Sequence, residues 1–138
     1  MTYILGLNAF HADSAACLVK DGALVAAAEE ERFRRLKHWG GFPSEAIRYC
    51  LEEAGIGLDQ VGHVAINRDG RASFWRKLGY VATKRPSLDL LLSRLRNRRQ
   101  WGDVGAHLAE SLPDMKFAGR IHAVEHHMCH LASAYYVS

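Results

Sequence analysis

Cysteine is scarce in this chain of 138 residues: Cys17, Cys50 and Cys129 are odd in number and widely scattered. No C-x-x-C pair occurs, which excludes a zinc knuckle and a disulfide framework and points to reduced thiols belonging to the core. Cys129 in particular reads as a small buried hydrophobe. Also missing is any uninterrupted apolar run of the ~18 residues that a membrane-spanning helix needs. The N-terminus lacks the basic, then apolar, then small-residue layout of a secretory signal, so a cytoplasmic protein with no membrane partner is expected. No Walker loop and no G-x-G-x-x-G is present, which disfavours the common phosphate cradles.

What is present is the balance of an ordinary globular domain, with 49% apolar and 24% charged residues, enough to bury a core. The formal charge of +3 is unevenly placed: from Arg71 to Arg99 nine basic residues stand against one acid, Asp89. Such a run suggests nucleic acid. Phe74, Trp75, Leu78, Val81, Leu88 and Leu95 interleave with the basic residues as on amphipathic helices, however, and no recognition motif accompanies them. A solvated basic face or a contact with another domain is the expectation, and nucleic acid is not an expected partner.

Apolar runs bounded by polar residues predict strands over Tyr3 to Asn8, Ala15 to Val19 and Leu24 to Ala28, the last two joined by the turn Lys20-Asp21-Gly22. Three strands in quick succession imply an antiparallel meander. Pro43-Ser44-Glu45 opens a helix with Ala46, Ile47, Cys50, Leu51 and Ala54 at helical spacing, and Gly55 is placed to stop it. A fourth strand is expected over Gly62 to Asn67. Arg71 to Tyr80, Ser87 to Arg98 and Val104 to Ser111 read as helices, forming a helical insertion over about 71–112. Ile121 to Val124 is a fifth strand that runs into a helix carrying His126, His127 and His130.

The order β-β-β-α-β, helices, β-α is that of the first half of a ribonuclease-H-like domain, as in the actin-like proteins, where an antiparallel ribbon joins parallel strands. The expected fold class is therefore α/β, an actin-like half-domain with three-stranded antiparallel ribbon, parallel strands and a helical insertion. In such domains the first hairpin touches phosphates. Here it is Gly6-Leu7-Asn8-Ala9-Phe10-His11-Ala12-Asp13-Ser14, rich in the small and polar types that a phosphate-contacting turn uses. An ordinary turn built from the same residues is the competing account.

His126 and His130 share one helical face, about 6 Å apart along the axis at ~1.5 Å per residue. That spacing suits one divalent ion. His127 stands where the glutamate of an H-E-x-x-H hydrolase would be, so the pair suggests ligation without that mechanism. Spacing alone leaves metal ligation and backbone-bonded surface histidines both open.

Three blocks, Gly6 to Ala16, Ala27 to His38 and Glu125 to Tyr135, resemble in sequence, order and spacing one family: the nodulation and antibiotic O-carbamoyltransferases of the NodU/CmcH type. The resemblance covers essentially the whole chain. It implies a two-step reaction in which carbamoyl phosphate and ATP give carbamoyl-adenylate, and a two-lobed actin-like domain then moves the carbamoyl group to a hydroxyl of a small molecule. Residues 1–138 look like the N-terminal lobe of that domain. By the same resemblance His126 and His130 are metal ligands, iron being the leading metal with zinc or manganese as alternatives. His11 is the catalytic residue that handles a proton, and Asn8, Asp13, Ser14, Lys37 and His38 contact substrate or nucleotide. A metal can stabilise charge on the carbamoyl oxygen and phosphate, and imidazole has the pKa for proton transfer. The run Glu29-Glu30-Glu31-Arg32 reads as a solvated strand end.

Family members run several hundred residues further, so the expected partners are the small-molecule acceptor, a C-terminal lobe and an adenylate-forming domain, with self-association into a homo-oligomer also admitted. These residues alone are expected to be an inactive fragment or one part of a split enzyme. The alternative is a non-catalytic actin-like nucleotide- or metal-binding module acting through a partner. The acceptor is not legible in this segment.

Overall fold

Alternating apolar residues in the first thirty positions give three strands whose inward sides match in register. The computed structural model describes residues 1–10, 12–67 and 104–136. Strands β1 (Tyr3–Asn8), β2 (Ala15–Lys20) and β3 (Ala23–Glu29) form the antiparallel meander. Helices α1 (Glu31–Arg34) and α2 (Ser44–Ala54) follow, then a 3-10 turn Leu58–Gln60 and strand β4 (His63–Ile66). Helix α3 (Val104–Ser111), strand β5 (Arg120–Ala123) and helix α4 (His126–Tyr136) complete the described elements. The sheet order is β3-β2-β1-β4-β5, with β1/β4 and β4/β5 parallel.

An antiparallel ribbon continued by parallel strands in this order is the ribonuclease-H-like, actin-like half-domain topology expected from the sequence. Its logic is chemical as well as geometric. Short turns suffice for the meander, whereas the parallel pairs require crossovers, which α2 and the 67–119 segment supply. The expected helices over Arg71 to Tyr80 and Ser87 to Arg98, the basic run among them, lie outside the described residues, as does His11.

One sheet face carries the core. Leu5 pairs with Leu18, Leu7 with Ala16, Leu5 with Val64 and Leu7 with Ile66, so every inward side chain of three strands lands on the same side. Against it pack Ala46, Ile47, Cys50 and Leu51 of α2, with Leu58, Val61, Leu108 and Leu112 closing the edges. Leu5, Leu18, Ile47 and Val64 have no exposed surface, and burial of each side chain contributes about 1.5–3 kcal/mol. A register shift between Leu18 and Val19 lets β3 bend where Leu24 and Val25 face outward.

Helix α2 ends as predicted. Gly55 takes φ 64°, donating to the Glu52 carbonyl, while Ile56 donates to that of Leu51, the paired bonds that close a helix on a left-handed residue. Its beginning is not local at all. The N-terminal residue Pro43 offers no capping side chain, and the free N–H groups of Glu45 and Ala46 are taken instead by Glu30, from another element.

Candidate functional site

The chain leaves β1 at Asn8, turns back through Asp13 and enters β2 at Ala15, at the carboxyl ends of β1 and of its parallel neighbour β4. In open α/β sheets this is the end where ligands bind, because helix N-termini and loop amides collect there. A chain of polar side chains marks it. Asn67, just past β4, donates from Nδ2 to Asn8 Oδ1 at 2.8 Å, Asn8 Nδ2 donates to the Asp13 carbonyl at 2.9 Å, and His38 Nδ1 meets Asp13 Oδ1 at 2.9 Å. Asn8, Asp13 and His38 were brought together by sequence reasoning only as a set; the structure links them bond by bond. Asn67 was missed, although an Asn at the carboxyl end of a parallel strand is a signal that could have found it.

The turn is held under strain. Phe10, Asp13 and His38 take φ of 59°, 63° and 56°, the left-handed region that costs most residues about 1 kcal/mol or more. A strap, Trp39 to Gly41, keeps it there: Phe10 N donates to the Gly41 carbonyl at 3.1 Å and Ser14 N to the Trp39 carbonyl at 3.0 Å. Ser14, expected near a phosphate, is 1% exposed, and its hydroxyl donates to the Gly41 carbonyl at 2.7 Å, fastening the strap. Lys37 is exposed at the edge of the same loop.

The acidic run is not a solvated strand end, because Glu30 has no exposed surface. Its carboxylate accepts from Arg34 Nε at 2.7 Å and from the Ala46 amide at 2.9 Å, while the Glu30 amide donates to the Ser14 carbonyl at 2.8 Å. The Arg34 guanidinium in turn lies 4.6 Å over the Trp39 ring. A single buried charge thus ties the start of α2, the strap and the hairpin together. Sequence pattern suggests three equivalent acids; burial picks out one.

A groove of about 820 Å³ runs beside the turn, lined by Gly6, Asn8, Cys17, Ala27, Glu29, Arg32, Phe33, Asn67, Val124 and Cys129 among others. Its size suits a nucleotide-sized molecule. Gly6 keeps its floor open, since a Cβ there would stand 2.7 Å from the Cys17 sulfur. Of the three cysteines expected in the core, Cys50 is buried, whereas Cys17 and Cys129 are half-buried on the groove. Burial pushes the thiols of Cys17 and Cys129 up, and that of Cys50 to about 11, so none is poised as a thiolate nucleophile.

Helix α4 borders the groove through Cys129 and starts at Glu125, whose carboxylate accepts the Met128 amide at 3.1 Å and contacts His127 Nδ1 at 2.6 Å. The His127 hydrogen bond holds that carboxyl below its usual range. His127 is therefore spoken for by Glu125. His126 and His130 converge on each other, Nε2 to Nε2, at 3.0 Å. Two nitrogens each about 2.1 Å from one ion and at a right angle would stand about 3 Å apart, so the pair fits a shared divalent metal. Among the described residues no cluster of three or more His, Cys, Asp or Glu completes a ligand set.

Fold and site together define an actin-like α/β lobe with a polar, strapped hairpin and a bidentate histidine clamp. The chain belongs to the carbamoyltransferase family: the family model described as Carbamoyltransferase N-terminus matches residues 3–138. It is 36% identical to an uncharacterized protein of Synechocystis, over all of this chain and 24% of that protein. It is 35% identical to the nodulation protein NolNO of Sinorhizobium fredii, over 95% of this chain and 18% of that protein. The chain thus spans about a quarter or less of these two relatives. The solved structure of YeaZ from Pseudomonas aeruginosa has a TM-score of 0.48 and 17% identity, covering 97% of this chain and 49% of that one. Among the described residues no helix is long and apolar enough to cross a membrane.

Proposed function

We propose that residues 1–138 are the N-terminal lobe of the transfer domain of an ATP-dependent O-carbamoyltransferase. The donor is carbamoyl-adenylate, made from carbamoyl phosphate and ATP, and the acceptor is a hydroxyl of a small molecule in the cytoplasm. The observation that carries this reading is the pairing, within a carbamoyltransferase family member, of the bonded series Asn67, Asn8, Asp13, His38 with the convergent His126 and His130.

Each part has a task. Asn8 and Asn67 present amide groups at the groove, and the strapped turn fixes them before ligand arrives, so little ordering entropy is lost on binding. His126 and His130 hold a divalent metal, iron in this reading. Bound there, the metal supplies Lewis acidity toward the carbamoyl oxygen or the phosphate. A complete ligand set needs donors beyond the described residues, which supports a second lobe as partner and makes residues 1–138 alone inactive.

The test uses the full-length protein with carbamoyl phosphate, ATP and a panel of hydroxylated small molecules. Expected are ATP-dependent carbamoylation of a hydroxyl with AMP release, and loss of bound metal in the His126→Ala, His130→Ala double variant. Nucleotide and metal binding with no carbamoyl transfer to any acceptor would instead leave a non-catalytic module. Metal content unchanged in the double variant would remove the clamp.

A further inference from the structure

The His38–Asp13 pair has the geometry of a base with its orienting carboxylate rather than of two ligand-contacting groups. Asp13, ionised, can only accept, so the 2.9 Å contact requires His38 to carry its proton on Nδ1. That leaves the Nε2 lone pair unprotonated and outward, on a ring 77% exposed, while Asp13 holds the ring from behind. A nucleophile-activating imidazole backed by a carboxylate is the arrangement by which hydroxyl groups are deprotonated at neutral pH.

Two further observations set this pair apart from an incidental surface contact. Both residues stand in left-handed backbone, at φ 63° and 56°, and strain of this kind persists only where surroundings impose it. Those surroundings are the strap and its anchor: Trp39, next to His38, accepts the Ser14 amide and lies under Arg34, which Glu30 holds from the core. The Asp13 carbonyl is tied to Asn8, which lines the groove. The pair is thus fixed from both sides at the groove mouth.

We propose that His38 is the general base for the carbamoyl acceptor, with Asp13 as its positioning residue; this rests on the carbamoyl-transfer reading. The acceptor O–H gives its proton to His38 Nε2 as its oxygen bonds to the carbamoyl carbon. The bond from that carbon to the phosphate oxygen breaks, and its electron pair leaves with the phosphate of AMP. The imidazolium formed is stabilised by Asp13 and loses its proton to solvent. No oxidant or reductant enters. The role that the sequence resemblance gives to His11 is a separate one under this assignment.

The left-handed backbone dictates the variants. Glycine and asparagine both tolerate φ near 60°, so His38→Gly and Asp13→Asn should leave the turn folded. In the full-length enzyme His38→Gly is expected to lower kcat by about 100-fold or more, with KM for the donor little changed, and added imidazole is expected to restore rate. Asp13→Asn should lower kcat while shifting the His38 ring toward the other tautomer, read from ring nitrogen NMR shifts. Transfer by His38→Gly at the parent rate, or a loss that imidazole does not restore, would overturn the assignment. If the parent itself transfers no carbamoyl group, the function proposed above fails. The NMR measurement still decides the pair, since a parent His38 unprotonated at Nδ1 would refute the orientation on which the base depends.

Discussion

Glu30 carries the most consequential stability prediction. Its carboxylate is fully buried and accepts from Arg34 Nε at 2.7 Å, from the Ala46 amide at 2.9 Å and from the Glu45 amide at 3.3 Å. Glu30→Ala therefore removes one ion pair and the only side-chain cap seen on α2, and strands Arg34 over Trp39. Breaking a buried pair by deleting one partner costs about 3–5 kcal/mol. Arg34 is 35% exposed and can recover some hydration, which favours the lower end, about 3 kcal/mol. With a urea slope of about 1–3 kcal/mol/M, the unfolding midpoint falls by about 1–2 M with unchanged slope. Glu30→Gln keeps an acceptor for the amides but not the charge, and should fall between the two. Urea titration followed by circular dichroism decides it. A midpoint for Glu30→Ala within about 0.5 kcal/mol of the parent, the range of an ordinary surface change, would refute the network and restore the solvated acidic run.

Two further outcomes follow from contacts already described. A Cβ on Gly119 would stand 2.5 Å from the Gly62 carbonyl oxygen and 2.6 Å from that of Val61, both backbone atoms, so Gly119→Ala must displace β5 from β4. A loss of about 1–3 kcal/mol is expected in the same titration, and a neutral result would show that β5 is free to shift. Burial raises the Cys50 thiol from 9.0 to about 11, so the folded state holds that proton more tightly than the unfolded one. Stability from this group is full below pH 9 and is lost as pH rises toward 11, whereas Cys50→Ala should flatten that decline. Equal alkaline slopes for parent and variant would show that Cys50 does not titrate on unfolding.

The sequence by itself determined the meander, helix α2 and its glycine stop, the parallel strand β4 and the histidine-bearing helix. Those features are local: alternation of apolar residues sets a strand, helical spacing sets a helix, and both act over a few neighbours. The three conspicuous blocks also made the family legible, and the hairpin residues Asn8, Asp13 and His38 along with it. What pattern could not reach were contacts between residues far apart in the chain. Three successive glutamates look alike until folding buries Glu30 against Ala46, sixteen residues on, and leaves Glu29 and Glu31 toward water. Ser14 has the composition of a phosphate contact, but the strap twenty-seven residues away claims its hydroxyl. Asn67 enters the site only because β4 lies beside β1 in parallel register. The direction of the His38 ring is likewise tertiary, since it is set by a carboxylate twenty-five residues earlier. Local spacing chose the residue types, and long-range packing decided which of them face a ligand and which hold the others in place.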